Sequence, residues 1–309
     1  MSRIHSRSEM EAFVRSAELG GFSAAARELG LTPSALSKFV KRLETRLGVR
    51  LLHRTTRSLS LTPEGARLLH RCRSILDDLD AAENEVTGGG NEPIGRLPMS
   101  LGVGFGMYQF LPILPGFLER YPKVQVDLRI EDREADLVKE GIDIAVGLIA
   151  VRDPGLDMRK LCDVGRVLCA SPRYLQRHGA PRVPDDLENH NCITSVALPS
   201  GARWSFAGGR KMIAVRGNVS VNNAEAMVRL ALMGKGIIRM NEMVVGESIR
   251  EGRLVPILHG THDAGKTPLC AAFPAGRDKV PRVAAMLQYL EEAFRHPPWR
   301  HRSGRGKPS

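Results

Sequence analysis

The sequence predicts an α/β protein with a helical head, and three observations carry that prediction. From Phe22 to Lys41, FSAAARELGLTPSALSKFVK, two short helical patterns are separated by a turn of three or four residues. From Leu69 to Val86, apolar residues recur at threes and fours along one long helical segment. From Ile94 onward, strand and helix signals alternate for roughly two hundred residues.

The head opens with a helix over about Ser8 to Leu19, which places Met10, Phe13, Val14 and Ala17 on one side and ends at Gly20 and Gly21. Ser23 is suited to cap a short helix, Ala24 to Leu29, closed by Gly30. Thr32 caps the next helix, and Pro33 takes its first position, where a missing N–H costs nothing. In that helix Leu36, Val40, Leu43 and Leu47 form one stripe, and Ser34, Ser37, Lys38 and Lys41 occupy the opposite face. Small hydroxyl residues and amines there suit a DNA major groove, because they allow close approach and offer hydrogen bonds to base edges and phosphates. A solvated helix hairpin in an ordinary α-helical domain would produce the same local pattern.

Gly48 ends the helix, and Arg50 to Leu61 reads as two short β-prone runs around a polar middle, the pattern of a β-wing. Arg54, Thr55, Thr56 and Arg57 at its tip are placed to reach phosphates or a minor groove. Thr62 and Pro63 repeat the cap-and-proline arrangement and open a long helix that Gly88 to Gly90 closes. Its seam is Leu69, Cys72, Leu76, Leu79, Ala82 and Val86, with Arg flanking early and Asp or Glu late. Such a stripe packs either on its own domain or on a partner. Its place between the head and a separate α/β region favours a dimerising linker helix.

The totals bound the rest. A length of 309 residues suggests two or three domains, and 42% hydrophobic content supports real cores. No apolar run approaches a membrane span and no signal peptide is evident, so the expected location is cytoplasmic. The net charge of +11 favours a polyanionic partner, and residues 1–73 hold fourteen Lys or Arg against six Asp or Glu. The last fifteen residues, RHPPWRHRSGRGKPS, are basic and rich in Pro, Gly and Arg, which predicts a disordered tail. Five cysteines in such a chain read as buried thiols and not as a disulfide framework, with Cys162 and Cys169 as the one candidate redox pair.

The segment FSAAARELGLTPSALSKFVKRLETRLGVRLLHRTTRSLSLTPEG resembles the N-terminal part of LysR-type transcriptional regulators. That resemblance implies a winged helix-turn-helix whose linker helices pair two chains on one palindromic double-stranded DNA site, as a homodimer or homotetramer. It also implies that Ser23, Thr32, Pro33, Ser34, Ser37, Lys38, Lys41, Arg54, Thr55, Thr56 and Arg57 form the DNA surface.

The α/β region is predicted as a strand at Leu97–Val103, a helix at Gln109–Arg120, a strand with period-two alternation at Lys123–Ile130, a helix at Ala135–Glu140, a strand at Ile142–Leu148 and a last helix at about Val280–Phe294. It resembles the same family through GRLPMSLGVGFGMYQFLPILPGFLERYPKVQVDL, DLVKEGIDIAVG, VLCASPRYL and NNAEAMVRLALMGKGI, and within it the subgroup with a Phe-Gly pair after the first strand, here Phe105-Gly106. The implied fold is a two-lobed α/β effector domain of the periplasmic-binding-protein-like type. The implied limits are 1–62 for the winged head, 63–92 for the linker and hinge, and 93–295 for the effector domain. Within the last, one lobe takes about 93–163 and 269–295 and the other about 164–268, leaving 296–309 as the tail.

By that resemblance a small-molecule effector lies between the lobes. Candidate contacts are Gly104, Phe105, Gly106 and Met107 after the first strand, Glu131 and Gly147 beside later strand ends, Thr194 and Ser195 in the second lobe, and Asn222 and Asn223 at a strand-to-helix turn. Asn222 or Asn223 serves equally well as a helix cap. Helix N-termini at strand ends favour a small anion, so a carboxylate is the expected ligand class. The chain departs from its relatives in having Gly104 where a Ser or Thr is frequent, Val146-Gly147-Leu148-Ile149 where Val-Arg-Ile-Gly is common, and Asn241 in place of a Pro.

Enzyme chemistry finds less support. Gly102, Gly104 and Gly106 followed by Asp127 imitate a dinucleotide fingerprint, but its third glycine falls on Met107. No G-x-S-x-G turn, H-E-x-x-H pair or zinc-spaced Cys pair occurs, and His259-Gly260-Thr261-His262-Asp263 reads as a polar turn more readily than as a metal site. No cofactor, no metal and no catalytic residue is therefore expected.

Overall fold

The computed structural model describes residues 5–54, 59–86, 92–133, 135–148, 153–196, 203–206, 209–258 and 265–299. The head is built from α1 (His5–Glu18), α2 (Phe22–Glu28), α3 (Pro33–Leu47) and a hairpin of β1 (Leu52–Arg54) and β2 (Leu59–Leu61). Phe13, Ala25, Ala26, Leu36, Val40, Leu43, Leu51 and Leu52 close its core. Leu47 does not join the stripe and stays 40% exposed in the last turn before Gly48, which takes a left-handed conformation.

Ser23 is not a cap. Gly21, extended at φ −173, precedes the first helical residue, because Phe22 turns into the head's core and draws the helix start forward. Ser23 is consequently an exposed residue of the first turn.

The linker helix α4 runs Pro63–Val86 and packs on α1. Of the predicted seam, Leu69 and Cys72 enter the head's own core and Leu76 packs beside it. Among the described side chains, the large apolar residues that the helix exposes are Ile75 at 47% and Leu79 at 39%, and the side chains of Ala82 and Val86 lie outside the described residues. The first half of the seam therefore serves its own domain. Gly88 to Gly90 lie outside the described residues.

A five-stranded sheet follows. β3 (Gly95–Leu101), β4 (Val124–Ile130), β5 (Ile144–Gly147), β6 (Leu156–Val164) and, after a long excursion, a late strand at Thr267–Pro274 stand in the order β4-β3-β5-late strand-β6. β3 is parallel to both β4 and β5, and the late strand is antiparallel to β5 and β6. The edge position of β4 leaves most of its residues half-buried and blunts the expected alternation.

The helix after β3 starts earlier than predicted: α5 (Val103–Phe105) passes through a π-helical turn at Gly106–Phe110 into α6 (Leu111–Arg120). Pro112 and Pro115 lack the N–H that a regular helix needs, and the wider turn precedes them. The helix expected at Ala135–Glu140 is the single turn α7 (Leu137–Glu140), capped by Asp136 through Lys139 N at 3.0 Å.

The excursion contains β7 (Arg166–Ala170), α8 (Pro172–His178), β8 (Thr194–Ser195), β9 (Arg203–Phe206), β10 (Lys211–Ala214), β11 (Ser220–Val221), α9 (Ala224–Leu232), β12 (Ile238–Asn241), α10 (Glu242–Arg250) and β13 (Val255–Ile257). β7 is flanked antiparallel by β12 and β13, and β8 pairs with β11 in parallel. The late strand β14 (Thr267–Pro274) then leads to α11 (Pro281–Phe294).

The expected tail is ordered at its start. Trp299 is 5% exposed and stacks near Phe294, with centroids 5.8 Å apart. A Cβ on Gly246 of α10 would lie 2.8 Å from Trp299 Cβ. Burial of the indole outweighs the polar composition around it.

Candidate functional site

The exposed face of α3 rests on a set of local anchors. Thr32 Oγ1 accepts from Ala35 N at 3.2 Å and lies 3.2 Å from Ser34 Oγ, so the cap also restrains the first hydroxyl of the face. Ser34, Lys38 and Lys41 are exposed at helical spacing, and Ser37 beside them is half-buried. Arg42 lies over the Phe39 ring at 6.0 Å, leaving the lysines as the forward charges.

The hairpin is tied to the same helix. Glu44 accepts from Leu51 N at 2.8 Å and Leu52 N at 3.2 Å, which fixes the entry of β1 against α3. Thr62 donates to Arg50 O at 2.8 Å and accepts from Gly65 N at 2.9 Å, closing β2 onto α4. Gly65 is required there, since a Cβ would sit 2.0 Å from Leu51 O. Arg54 ends β1 at the hairpin tip, and Thr55, Thr56 and Arg57 lie outside the described residues.

A second site is a cleft of about 810 Å³ between the C-terminal ends of β3 and β5 and the β12–α10 corner. Of the predicted contacts, Gly104, Phe105, Glu131 and Gly147 line it. Gly104 is pressed against α10: a Cβ would lie 2.9 Å from Val244 Cγ2. That contact explains why no Ser or Thr stands at this position.

Gly106, Met107, Thr194, Ser195, Asn222 and Asn223 are not among the lining residues. Gly106 is turned against Ile130, and Met107 is exposed. Thr194 Oγ1 lies 2.6 Å from Ser220 Oγ, bracing β8 against β11, where Ser195 also sits. Asn223 caps α9 through Ala226 N at 3.1 Å, which realises the helix-cap alternative, and Asn222 is exposed beside it.

Residues that sequence reasoning passed over supply most of the cleft's charge: Asp132, Arg133, Asp136 and Asp153, with Asn241, Met243 and Val244 opposite. Asp132 Oδ1 accepts from Val103 N at 2.9 Å. Arg133 grips both oxygens of Glu140, at 2.7 and 2.6 Å, and lies 2.8 Å from Glu131 Oε1. These hydrogen bonds hold the Glu140 carboxyl down to about 2 and raise the Arg133 guanidinium further. Two further contacts join the helix after β3 to the excursion: Tyr108 donates to Glu225, and Gln109 donates to Met243 O. The bond from Tyr108 is the main cause of the lowered Glu225 pKa.

The other chemistry dissolves. Burial pushes the Cys169 thiol up to about 12, so it carries no thiolate for redox exchange, and Cys162 belongs to a different sheet. Asp127 ion-pairs with Arg96 and is not presented to a nucleotide. His259 to Asp263 lie outside the described residues, and no metal-binding cluster occurs among the described ones. No described helix is long and apolar enough to cross a membrane.

Comparison with known proteins decides the family. The bacterial regulatory helix-turn-helix description of the lysR family matches residues 8–66, and the LysR substrate binding domain matches residues 90–295. The chain belongs to the LysR family of transcriptional regulators. It is 37% identical over 293 residues to the HTH-type transcriptional regulator PtxR of Pseudomonas aeruginosa, covering 94% of this chain and 93% of PtxR. It is 32% identical to the probable HTH-type transcriptional regulator LtrA of Klebsiella pneumoniae, covering 92% of this chain and 93% of LtrA. The solved structure of CrgA, a LysR-type regulator from Neisseria meningitidis, superposes with a TM-score of 0.62 at 33% identity, covering 93% of this chain and 98% of that one. This LysR-type protein is accordingly a DNA-binding transcriptional regulator with a substrate-binding effector domain, and its relatives are named as regulators, not enzymes.

Proposed function

We propose that this LysR-type regulator reads operator DNA with the Ser34, Ser37, Lys38 and Lys41 face of α3, while Thr32, Arg54, Thr55, Thr56 and Arg57 hold the backbone. Ser23 and Pro33 lie at the starts of the two motif helices and shape the approach. The observation that carries the reading is the cluster of exposed hydroxyl and amine side chains on a helix that Glu44 ties to the wing. That arrangement supports major-groove entry by one helix and backbone contact by a wing.

The protein works in the cytoplasm as a dimer or larger homo-oligomer. Two α4 helices meet through Ile75 and Leu79, so that two heads address a palindromic site. A ligand in the cleft changes the closure of β3–β5 against β12–α10 and thereby the spacing of the heads.

Binding of labelled upstream DNA fragments at rising salt tests the reading. The wild type should lose affinity linearly in log–log form, and Lys38→Ala with Lys41→Ala should flatten the slope, because two ammonium groups no longer displace counterions from the groove. A slope unchanged by both substitutions would remove α3 from the interface.

A further inference from the structure

The helix after β3 is interrupted by the π-helical turn Gly106–Phe110, a form that is rare and concentrated at functional sites. Phe105 and Phe110, on either side of its middle, are buried in the core. Tyr108 and Gln109 between them are half-buried, and both reach across to the excursion.

Tyr108 donates to the Glu225 carboxylate, and Gln109 Nε2 donates to Met243 O. Glu225 is the second residue of α9, and Met243 is the second residue of α10. Arg229, one turn further along α9, donates to the other Glu225 oxygen at 2.7 Å and steadies the carboxylate. Burial and the bond to Glu225 both raise the Tyr108 pKa, so the phenol stays a donor.

Both bonds end at the cleft wall. Met243 lines the cleft, as does Ala224 beside Glu225, and Gly104 lines it four residues before Tyr108. The apolar core is continuous here, running from Leu101 and Phe105 into Met227, Val228 and Val244. Apolar contact is non-directional and allows packed parts to slide. The two hydrogen bonds are directional and define one position. Their half-buried place also lets water take over each donor and acceptor, so they break at less cost than the core beneath them.

We propose that the π-turn is a clasp that sets the width of the cleft: Tyr108 and Gln109 fix α9 and α10 against the helix after β3, and the cleft opens by releasing these two bonds. The proposal rests on the reading of this cleft as the effector site and names the contacts that its opening must break.

The test is hydrogen exchange, read by mass spectrometry on the full-length wild type and on Tyr108→Phe with Gln109→Met, which removes both donors and keeps the bulk. Exchange across α9 and α10 should rise roughly tenfold, with β3, β5 and the winged head unchanged. Unchanged exchange in α9 and α10 would overturn the clasp. Equal acceleration in β3, β5 and the head would overturn it too, since that marks a general loss of stability. Tyr108→Phe and Glu225→Ala should together be no faster than the faster of the two alone, and acceleration that multiplies across the pair would overturn the bond between them.

DNase footprints of the same proteins, on a DNA fragment selected by the wild type, separate the clasp from the effector reading. Faster exchange with a footprint of altered length supports both. Faster exchange with the wild-type footprint leaves the clasp standing and removes the coupling of cleft width to the spacing of the heads.

Discussion

Glu18 Oε1 accepts from Arg73 Nε at 2.7 Å, and the same oxygen lies 3.4 Å from Arg96 Nη1. One carboxylate on α1 therefore joins the winged head to the linker helix and to the first strand of the effector domain. Arg96 continues the chain to Asp127 on β4. Glu18→Gln should cost only about 1 kcal/mol, because the network is partly solvated. Its larger effect should fall on communication between domains. Operator affinity measured with and without a cleft ligand should show a smaller ligand response in the variant, and an unchanged response would exclude this contact from the coupling.

The Gly104–Val244 contact makes a prediction about packing. Gly104→Ala should lower stability by about 1–3 kcal/mol, since Val244 is β-branched and cannot swing away without moving α10. Val244→Ala removes the opposing methyl and should recover much of the loss in the double variant. Urea denaturation of the four proteins checks this, and additive losses would show that the two sites do not meet.

Trp299 should behave as a core residue despite its place in a basic terminus. Trp299→Ala is expected to cost about 3–5 kcal/mol, through lost burial against Phe294 and α10. Chemical denaturation measures it, and a loss near zero would mean that the terminus is not held in solution.

Glu140 sets an acid limb. Its pKa is lowered from 4.5 to about 2, chiefly by hydrogen bonds from Arg133, so its contribution is complete above about 4.5 and is lost as pH falls toward 2. A plot of Tm against pH should therefore be flatter over that interval in Glu140→Gln than in the wild type. Parallel curves would contradict the assignment.

The head was legible in the sequence because its determinants are local. Thr32-Pro33 and Thr62-Pro63 each cap the helix that follows, within three residues of their partners. Where a long-range contact competes, the local rule fails: burial of Phe22 moves the start of α2, and Ser23 loses its cap. The cleft was only half legible. Gly104, Phe105 and Glu131 follow strand ends and Gly147 closes β5, whereas Asp132 and Asp153 lie in connecting segments whose direction the sequence does not encode. Trp299 was hidden by the Pro- and Arg-rich composition around it, although a lone Trp five residues beyond Phe294 is an anchor signal that composition averages away.

The central claim is that α3 reads bases while the wing holds the backbone. Selection from a random DNA pool by full-length wild type, Ser37→Ala and Arg54→Ala tests it most directly. The wild type should enrich two inverted half-sites, Ser37→Ala should change the preferred base at a fixed position in each, and Arg54→Ala should enrich the same motif with uniformly weaker binding and a shallower salt slope. Absence of any motif with the wild type, or the same uniform weakening from both substitutions, would contradict the account.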